Sequence, residues 1–333
     1  MDKQRQRLID FIDKFPGKRI AVWGDFILDE YVFGKTRRIS REAPVLILTY
    51  QKKEFSLGGA GNAALNLKAL RASPLPVGVV GQDESGQIIL DILRSLKIPT
   101  KYLLKFKGYP TPIKTRILAG EENTRKQQIL RIDSEFRVPE NSRIKQSLKH
   151  CLQEVRAQCS ALIISDYNYL TVKQDIYNDI LPDFKKTKRP VTSDSRFRLL
   201  NFQGLTAATP NEPEVEHALK IELGENTPLL KRVGNQLLKK LQSPALLITR
   251  GSRGMALFEK GKPPFLIPVH GTTDIVDVTG AGDTVISVFT LALACGASFR
   301  EAAHLANYAG GIVVMKKGTA TLTVEELKEA IYS

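Results

Sequence analysis

From about residue 139 onward, short apolar runs alternate with amphipathic segments of helical length, and no other feature constrains the fold as strongly. Helix Ile144–Gln158 leads to strand Ala161–Ser165, and Lys173–Lys186 leads to Pro190–Thr192. Strand Leu205–Ala208 and helices Glu212–Ile221 and Leu229–Leu241 precede strand Ala245–Thr249. A β-rich patch at Met255–Val269 is followed by three closing helices, near 281–295, 299–315 and 323–331. Strand–helix–strand units place their strands parallel and their helices across both faces of the sheet. Upstream, Arg19–Trp23 is an apolar run stopped by Gly24-Asp25, the pattern of a buried first strand. Asn62–Leu70 and Ile88–Leu96 read as helices on either side of strand Leu75–Val80. The expected class is α/β, with a mostly parallel sheet covered on both faces.

Two stretches break that rhythm. Pro44–Tyr50 with Gln51–Leu57 reads as a hairpin, and Thr111–Leu118 with Gln127–Ile132 as two more half-exposed strands. Insertions near 31–57 and 100–133 are expected to form a small β-flap over the ends of the sheet. One domain is expected over 18–331, after an N-terminal extension or helix at 1–17. At 42% hydrophobic and 25% charged, the 333 residues supply a sizeable core and speak against disorder. No apolar run approaches the ~20 residues of a membrane span, and residues 1–18 lack a signal peptide's apolar centre. Cys151, Cys159 and Cys295 read as free thiols in a reducing compartment, so a cytoplasmic location is expected. The net charge of +14 suits nucleic acid, membrane surfaces or small anions. Its cations are dispersed in pairs such as Lys52-Lys53 and Lys316-Lys317, without a basic tail or an aromatic RNA-binding strand. Small anionic ligands are therefore expected, with neither nucleic acid nor membrane as partner.

The run Asp277-Val278-Thr279-Gly280-Ala281-Gly282-Asp283-Thr284 opens an apolar helix. Small residues at such a turn let backbone amides approach an anion, and the helix N-terminus adds partial positive charge. Asp283 in the first turn suits phosphoryl transfer, taking a proton from the attacking hydroxyl while the amides hold the migrating charge. It also suits a plain acidic residue favoured by the helix dipole. Gly58-Gly59-Ala60-Gly61-Asn62-Ala63-Ala64 opens a second helix, and its Gly59-x-Gly61-x-x-Ala64 spacing with Asp83 downstream matches a dinucleotide fingerprint. Against that reading, the preceding Gln51–Leu57 is polar-alternating rather than a buried central strand. Phe33-Gly34-Lys35-Thr36 fails as a phosphate loop because Asp29 stands where the first glycine belongs. His150, His217, His270 and His304 show no metal spacing, and no G-x-S-x-G elbow is present. Asn211-Glu212-Pro213-Glu214 suits an N-cap, and equally a water-mediated Mg²⁺ and phosphate contact.

Taken together, Gly58–Ala64, Asn211-x-x-Glu214 and Asp277–Thr284 resemble the signatures of the ribokinase-like (PfkB) carbohydrate kinases, in order and separation. Gly24-Asp25-x-x-Leu28-Asp29-x-Tyr31, Arg38-Ile39-Ser40-x-Glu42-Ala43-Pro44-Val45, Lys114-x-Arg116 and Gln127-Gln128-x-x-Arg131-x-Asp133 resemble the heptose 7-phosphate kinases among them. Ser165-Asp166-Tyr167 and Thr209-Pro210-Asn211 extend that likeness. Bifunctional members carry a following nucleotidyltransferase domain, so the expectation is a stand-alone kinase. The resemblance implies ATP as co-substrate, Mg²⁺, a flap-joined homodimer and a sugar phosphate acceptor, D-glycero-β-D-manno-heptose 7-phosphate phosphorylated at O1. It makes Asp283 the general base and Gly280, Ala281 and Gly282 the anion hole. Asn211, Glu214, Arg196, Thr249, Gly251, Asn307 and Gly310 would face ATP, with Glu214 reaching Mg²⁺ through water. Asp25, Asp29, Gly58, Gly59, Asn62, Arg38, Lys114, Arg116 and Arg131 would face the sugar phosphate, with Arg41 and Arg125 adding to the flap's cations. Asp277 and Thr279 match positions where relatives hold a monovalent cation such as K⁺. The chain departs from the pattern at Asp194-Ser195-Arg196, where relatives show Asp-Pro-Lys. Asn168-Tyr169-Leu170 replaces a small-Lys-Gly stretch, and Ala119–Thr124 reads as an insertion.

Overall fold

A computed structural model describes residues 3–120, 126–271 and 276–332. The chain begins with α1 (Lys3–Ile12), β1 (Arg19–Gly24), β2 (Phe26–Ile39), β3 (Leu46–Gly59) and α2 (Ala60–Ala69). Next come β4 (Ser73–Gly81), α3 (Glu84–Ser95), β5 (Leu103–Phe106), β6 (Ile113–Gly120) and β7 (Gln127–Ser134). The middle holds α4 (Ser142–Gln158), β8 (Ala161–Asp166), α5 (Gln174–Lys186), β9 (Val191–Ser195) and β10 (Ala207–Ala208). It continues through α6 (Glu212–Leu219), α7 (Thr227–Leu241), β11 (Ala245–Thr249), β12 (Met255–Glu259) and β13 (Phe265–Ile267). Helices α8 (Ala281–Ala294), α9 (Phe299–Val313) and α10 (Val324–Tyr332) close the chain.

Nine strands form one sheet in the order β13-β12-β11-β10-β9-β8-β1-β4-β5, parallel from β5 to β11, with β12 and β13 antiparallel at one edge. Strand β1 lies inside this sheet with both faces covered, so its side chains divide by parity. Ile20 and Val22 join the core under α2, α8 and α9, while Ala21 and Trp23 join the core under α4, α5 and α7. Helix α8 is buried almost all round, which accounts for its unbroken apolar run. The strand order reverses at β1, and open α/β sheets bind ligands at the carboxyl ends beside such a reversal.

A second sheet, ordered β3-β2-β6-β7, stands over those ends. The stretch 44–57 is not a hairpin in itself: β3 is one long strand that pairs back along β2. Strand β2 escaped the sequence reading because charged and apolar residues share FILDEYVFGKTRRI without a run of either. Leu103–Phe106 belongs to the edge of the main sheet rather than to the flap. Strands β2 and β6 run parallel in the register Asp29↔Lys114, Tyr31↔Arg116, Phe33↔Leu118, so these six side chains share one face. The N-terminal helix α1 buries Leu8, Ile9, Phe11 and Ile12, packing against α10. Among the described residues, no helix is long and apolar enough to cross a membrane.

Candidate active site

Gly280 opens α8 with φ +78°, a conformation suited to glycine, and a Cβ there would lie 2.4 Å from Asn62 Nδ2. The helix start has no side-chain cap, although the Ala281 amide bonds to the Val278 carbonyl at 3.2 Å. One turn in, Asp283 is buried and accepts hydrogen bonds from Asn62 Nδ2 at 2.9 Å and the Tyr167 hydroxyl at 3.3 Å. Burial lifts its pKa to about 7, with the charges of Asp29 and Glu214 adding to the rise and both hydrogen bonds opposing it. Burial also pushes the Tyr167 phenol well above its ordinary value, so it remains a donor.

Two further carboxylates face this helix start. A Cβ on Gly282 would lie 3.2 Å from Asp194 Oδ2, which places that oxygen beside the glycine turn. Burial, then Glu214 and Asp283, raise the Asp194 pKa well above the ordinary value. Glu214 and Asn211 form a capping box on α6: Asn211 Oδ1 accepts from the Glu214 amide at 2.8 Å, and Glu214 Oε2 accepts from the Asn211 amide at 2.9 Å. Burial raises Glu214 to about 7, opposed by that amide and by the Arg196 charge. Beside them lies a mainly apolar cavity of about 290 Å³, lined by Asn211, Thr249, Gly251, Gly282, Asn307 and Gly310. Ala281 also borders it, and Asn307 Nδ2 bonds to the Pro268 carbonyl at 2.8 Å. Arg196 does not line this cavity. It lines a neighbouring cleft of about 650 Å³ with Arg131, Arg137, Tyr167 and Asn168.

The residues expected at the sugar divide into three groups. Asp25 is fully buried, and its oxygens accept from the amides of Tyr167 at 2.8 Å, Tyr169 at 3.0 Å and Thr171 at 3.1 Å. It latches the loop after β8, and its oxygens are engaged by those amides rather than open to a cavity. Asn62 is likewise fully buried, with its amide engaged by Asp283 and Asn66. Asp29 pairs with Arg116 Nη1 at 2.5 Å, and Arg116 borders a flap cavity of about 730 Å³ with Tyr31, Asp277 and Thr319. Gly58 is glycine because a Cβ would meet Asp29 Oδ2 at 2.9 Å, and one on Gly59 would meet the Asp25 carbonyl at 2.5 Å. Lys114 pairs with Asp133 at 3.2 Å and Glu135 at 3.4 Å, and Arg131 with Asp133 at 2.9 Å.

Arg38 is not brought to this site. It stands exposed nine residues beyond Asp29 on β2, about 30 Å along an extended strand. Arg41 lies in the exposed turn beyond it, and Arg125, with most of the Ala119–Thr124 stretch, falls outside the described residues. Asp277 accepts from the Thr279 amide at 2.9 Å and the Gly318 amide at 3.0 Å, tying two loops together. The dinucleotide reading of Gly58–Ala64 fails on geometry, since α2 follows an antiparallel flap strand. Asp83, its supposed ribose ligand, caps α3 through the Gly86 amide at 2.7 Å and binds the Thr111 amide at 2.7 Å. Sequence reasoning missed Asp194, Tyr167 and Asn66 as members of the site. Only the Ser165-Asp166-Tyr167 and Asp194-Ser195-Arg196 likenesses had marked two of them.

The family model for pfkB family carbohydrate kinases matches residues 18–326. Among curated proteins, the bifunctional protein HldE of Desulfatibacillum aliphaticivorans is 37% identical over 318 residues, covering 95% of this chain and 64% of that protein. HldE of Haemophilus ducreyi is 38% identical over 322 residues, covering 96% and 65%. The chain thus spans slightly less than two thirds of the length of these relatives. Ribokinase of Arabidopsis thaliana, solved with ribose and ATP, superposes with a TM-score of 0.70 at 19% identity, covering 96% of this chain and 99% of that one. Phosphofructokinase-2 of Escherichia coli, solved with fructose-6-phosphate, superposes with a TM-score of 0.74 at 15% identity, covering 95% and 98%. At such identities the likeness is one of fold, and the fold is ribokinase-like.

Proposed function

The chain belongs to the pfkB family of carbohydrate kinases, phosphotransferases with an alcohol acceptor, and on that premise we propose an ATP-dependent sugar phosphate kinase. The leading acceptor is D-glycero-β-D-manno-heptose 7-phosphate, phosphorylated at its anomeric hydroxyl to the 1,7-bisphosphate. One observation carries the reading. Asp283 lies buried at a glycine-opened helix start, in a region that also holds a nucleotide-sized apolar cavity and a cation-lined flap.

In this reading Asp283 takes the proton of the acceptor hydroxyl, and its raised pKa makes the ionised form a stronger base than an ordinary carboxylate. The α8 start, at Gly280–Gly282, holds the transferring phosphoryl through backbone amides and the helix dipole. The adenine moiety fits the apolar cavity beside Asn307 and Gly310. The half-buried acids Asp194 and Glu214 fit a divalent cation nearby, because two neighbouring carboxylates offset only in part by Arg196 are what such an ion neutralises. Mg²⁺ there would be held by Glu214 through water and by the phosphates, supplying charge neutralisation. Asp277 and Thr279 would hold K⁺.

Lys114, Arg116 and Arg131 supply the charge for the acceptor's phosphate, exchanging their present carboxylate partners for a bidentate ligand. A single kinase domain over 18–331, a homodimer joined by the flap and a cytoplasmic location complete the proposal. Charge-assisted contacts contribute roughly 1.5–3 kcal/mol each, so losing two lowers kcat/KM by about two to four orders of magnitude. An ADP-release assay comparing the phosphorylated heptose, its dephosphorylated form and ribose should show that difference. Equal kcat/KM for all three would leave a general sugar or nucleoside kinase in its place.

A further inference from the structure

Helices α2 and α8 pack against each other with a chain of buried polar side chains between them. Thr284 Oγ1 donates to Asn66 Oδ1 at 3.0 Å. Asn66 Nδ2 donates to the main-chain oxygen of Asn62 at 3.0 Å and to Asn62 Oδ1 at 3.2 Å. Asn62 Nδ2 in turn donates to Asp283 Oδ2 at 2.9 Å. Asn62, Asn66 and Thr284 each have no exposed surface.

A side-chain amide can turn over and exchange its donor and acceptor ends. A backbone carbonyl removes that freedom here. The Asn62 carbonyl can only accept, so Asn66 must turn its NH₂ toward it. The same NH₂ then calls for an acceptor from the Asn62 side chain, which leaves Asn62 Nδ2 pointing at Asp283. Thr284 holds the far end of the Asn66 amide. Thr284 Oγ1 shares its proton between Asn66 Oδ1 and the Gly280 carbonyl at 3.3 Å, and Asn62 Nδ2 lies 3.4 Å from that same carbonyl, a second and longer contact that favours the same amide orientation.

We propose that Asn66 and Thr284 are positioning residues that, through this relay, compel Asn62 to donate to Asp283 and so keep that carboxylate ionised for proton abstraction. The inference rests on Asp283 being the general base. Other groups facing Asp283 are Asp29 from β2, Glu214 from α6, Asp194 from β9 and Tyr167 from the loop after β8. The three acids all disfavour its ionised form. Tyr167 donates, but its hydroxyl can rotate away, whereas the clamped Asn62 amide cannot.

The test is the pH dependence of kcat/KM. Asn66→Leu removes the shorter of the two contacts that orient the Asn62 amide and leaves only the 3.4 Å approach to the Gly280 carbonyl, so the amide should turn over. The acid limb should then rise by about one unit, giving activity about tenfold lower near pH 6.5 and close to wild type near pH 9, with KM for ATP unchanged. Thr284→Val should move the limb the same way by less, and Thr284→Ser, which keeps the hydroxyl, should restore it. If Asn66→Leu fails to fold, the Thr284 pair decides alone. A loss equal at every pH, or an unmoved limb, overturns the relay. Asp283→Asn separates the two readings: if that variant keeps the wild-type acid limb, the assignment of the base fails. If it loses the limb while the Asn66 and Thr284 variants retain it, only the relay fails.

Discussion

As the proposed base, Asp283 would serve two opposing demands. Burial makes it a competent base near neutral pH, and the same burial makes its ionised form a burden on the fold. Asp283→Asn is nearly isosteric and leaves the helix start in place. Turnover should fall by about 10²–10⁴, with KM for ATP little changed. Activity within threefold of wild type would return Asp283 to a helix-dipole role. The stability effect has the opposite sign. A carboxyl whose folded pKa of about 7 exceeds its ordinary 3.8 favours folding fully below about pH 4, and that contribution is lost as pH rises through 7. The Asn variant has no such loss. Its melting temperature should exceed wild type by a few degrees at pH 8, and the gain should shrink toward pH 5. Thermal unfolding at the two pH values checks this, and an equal offset at both would contradict it.

At the scale of elements, caps and latches position the chemistry. The loop after β8 carries Asn168 and Leu170 with φ near +65°, strained for residues with a Cβ. Three of its amides converge on Asp25, which holds the loop and with it Tyr167 against Asp283. Leu170 stands where the family pattern carries glycine, so here the latch maintains what glycine would permit without strain. The capping box of α6 establishes the structural reading of its motif and leaves room for the proposed functional one. It engages Glu214 Oε2 and leaves Oε1 for other partners. Glu214→Gln preserves an N3 side-chain oxygen able to accept from the Asn211 amide, so its melting temperature should stay close to wild type at pH 5, where folded Glu214 is protonated, while turnover at neutral pH falls at least tenfold. Glu214→Ala should lose the same activity and also about 1 kcal/mol of stability. Unfolding curves and steady-state rates for the pair test this, and full activity in Glu214→Gln would leave the residue as a cap alone.

For the whole molecule, the flap's two faces differ in kind. The face toward the main sheet carries Asp29, Tyr31, Lys114 and Arg116, whereas the opposite face leaves Phe55, Leu130 and Ile132 38%, 52% and 50% exposed. Val32 and Ile117 continue the apolar strip from Leu130, while Glu30 and Thr115 lie directly between Phe55 and Ile132, so the strip crosses the strands beside a polar pair. Such a face suits burial against a second flap, and the proposed homodimer would place it there. Ile132→Asp should convert the dimer to a monomer in sedimentation velocity at micromolar concentration. A wild-type protein that is already monomeric there would remove the flap-to-flap assembly.

The sequence by itself determined the parallel core, because a strand buried on both faces and an amphipathic helix each write their period into adjacent residues. It also located both glycine-opened helices and Asp283, since each of those signals is contained within eight consecutive residues. Strand β2 was not legible: charged and apolar residues fall on both of its faces, Asp29 with Tyr31 and Phe33 toward the site and Glu30 with Val32 on the outer one, so no alternation marks the strand until β3 and β6 pair beside it. Only the tertiary structure decided which polar groups are free to act. Asp25 and Asp29 read alike in sequence, yet one closes on amides 142 to 146 residues away and the other on an arginine 87 residues away. Asn62 meets Asp283 across 221 residues, and Arg38 is carried away from the site by the length of its own strand. Local periodicity records which face of an element is buried. The partner of a buried polar group is set by how distant elements close on one another, and no local spacing encodes it.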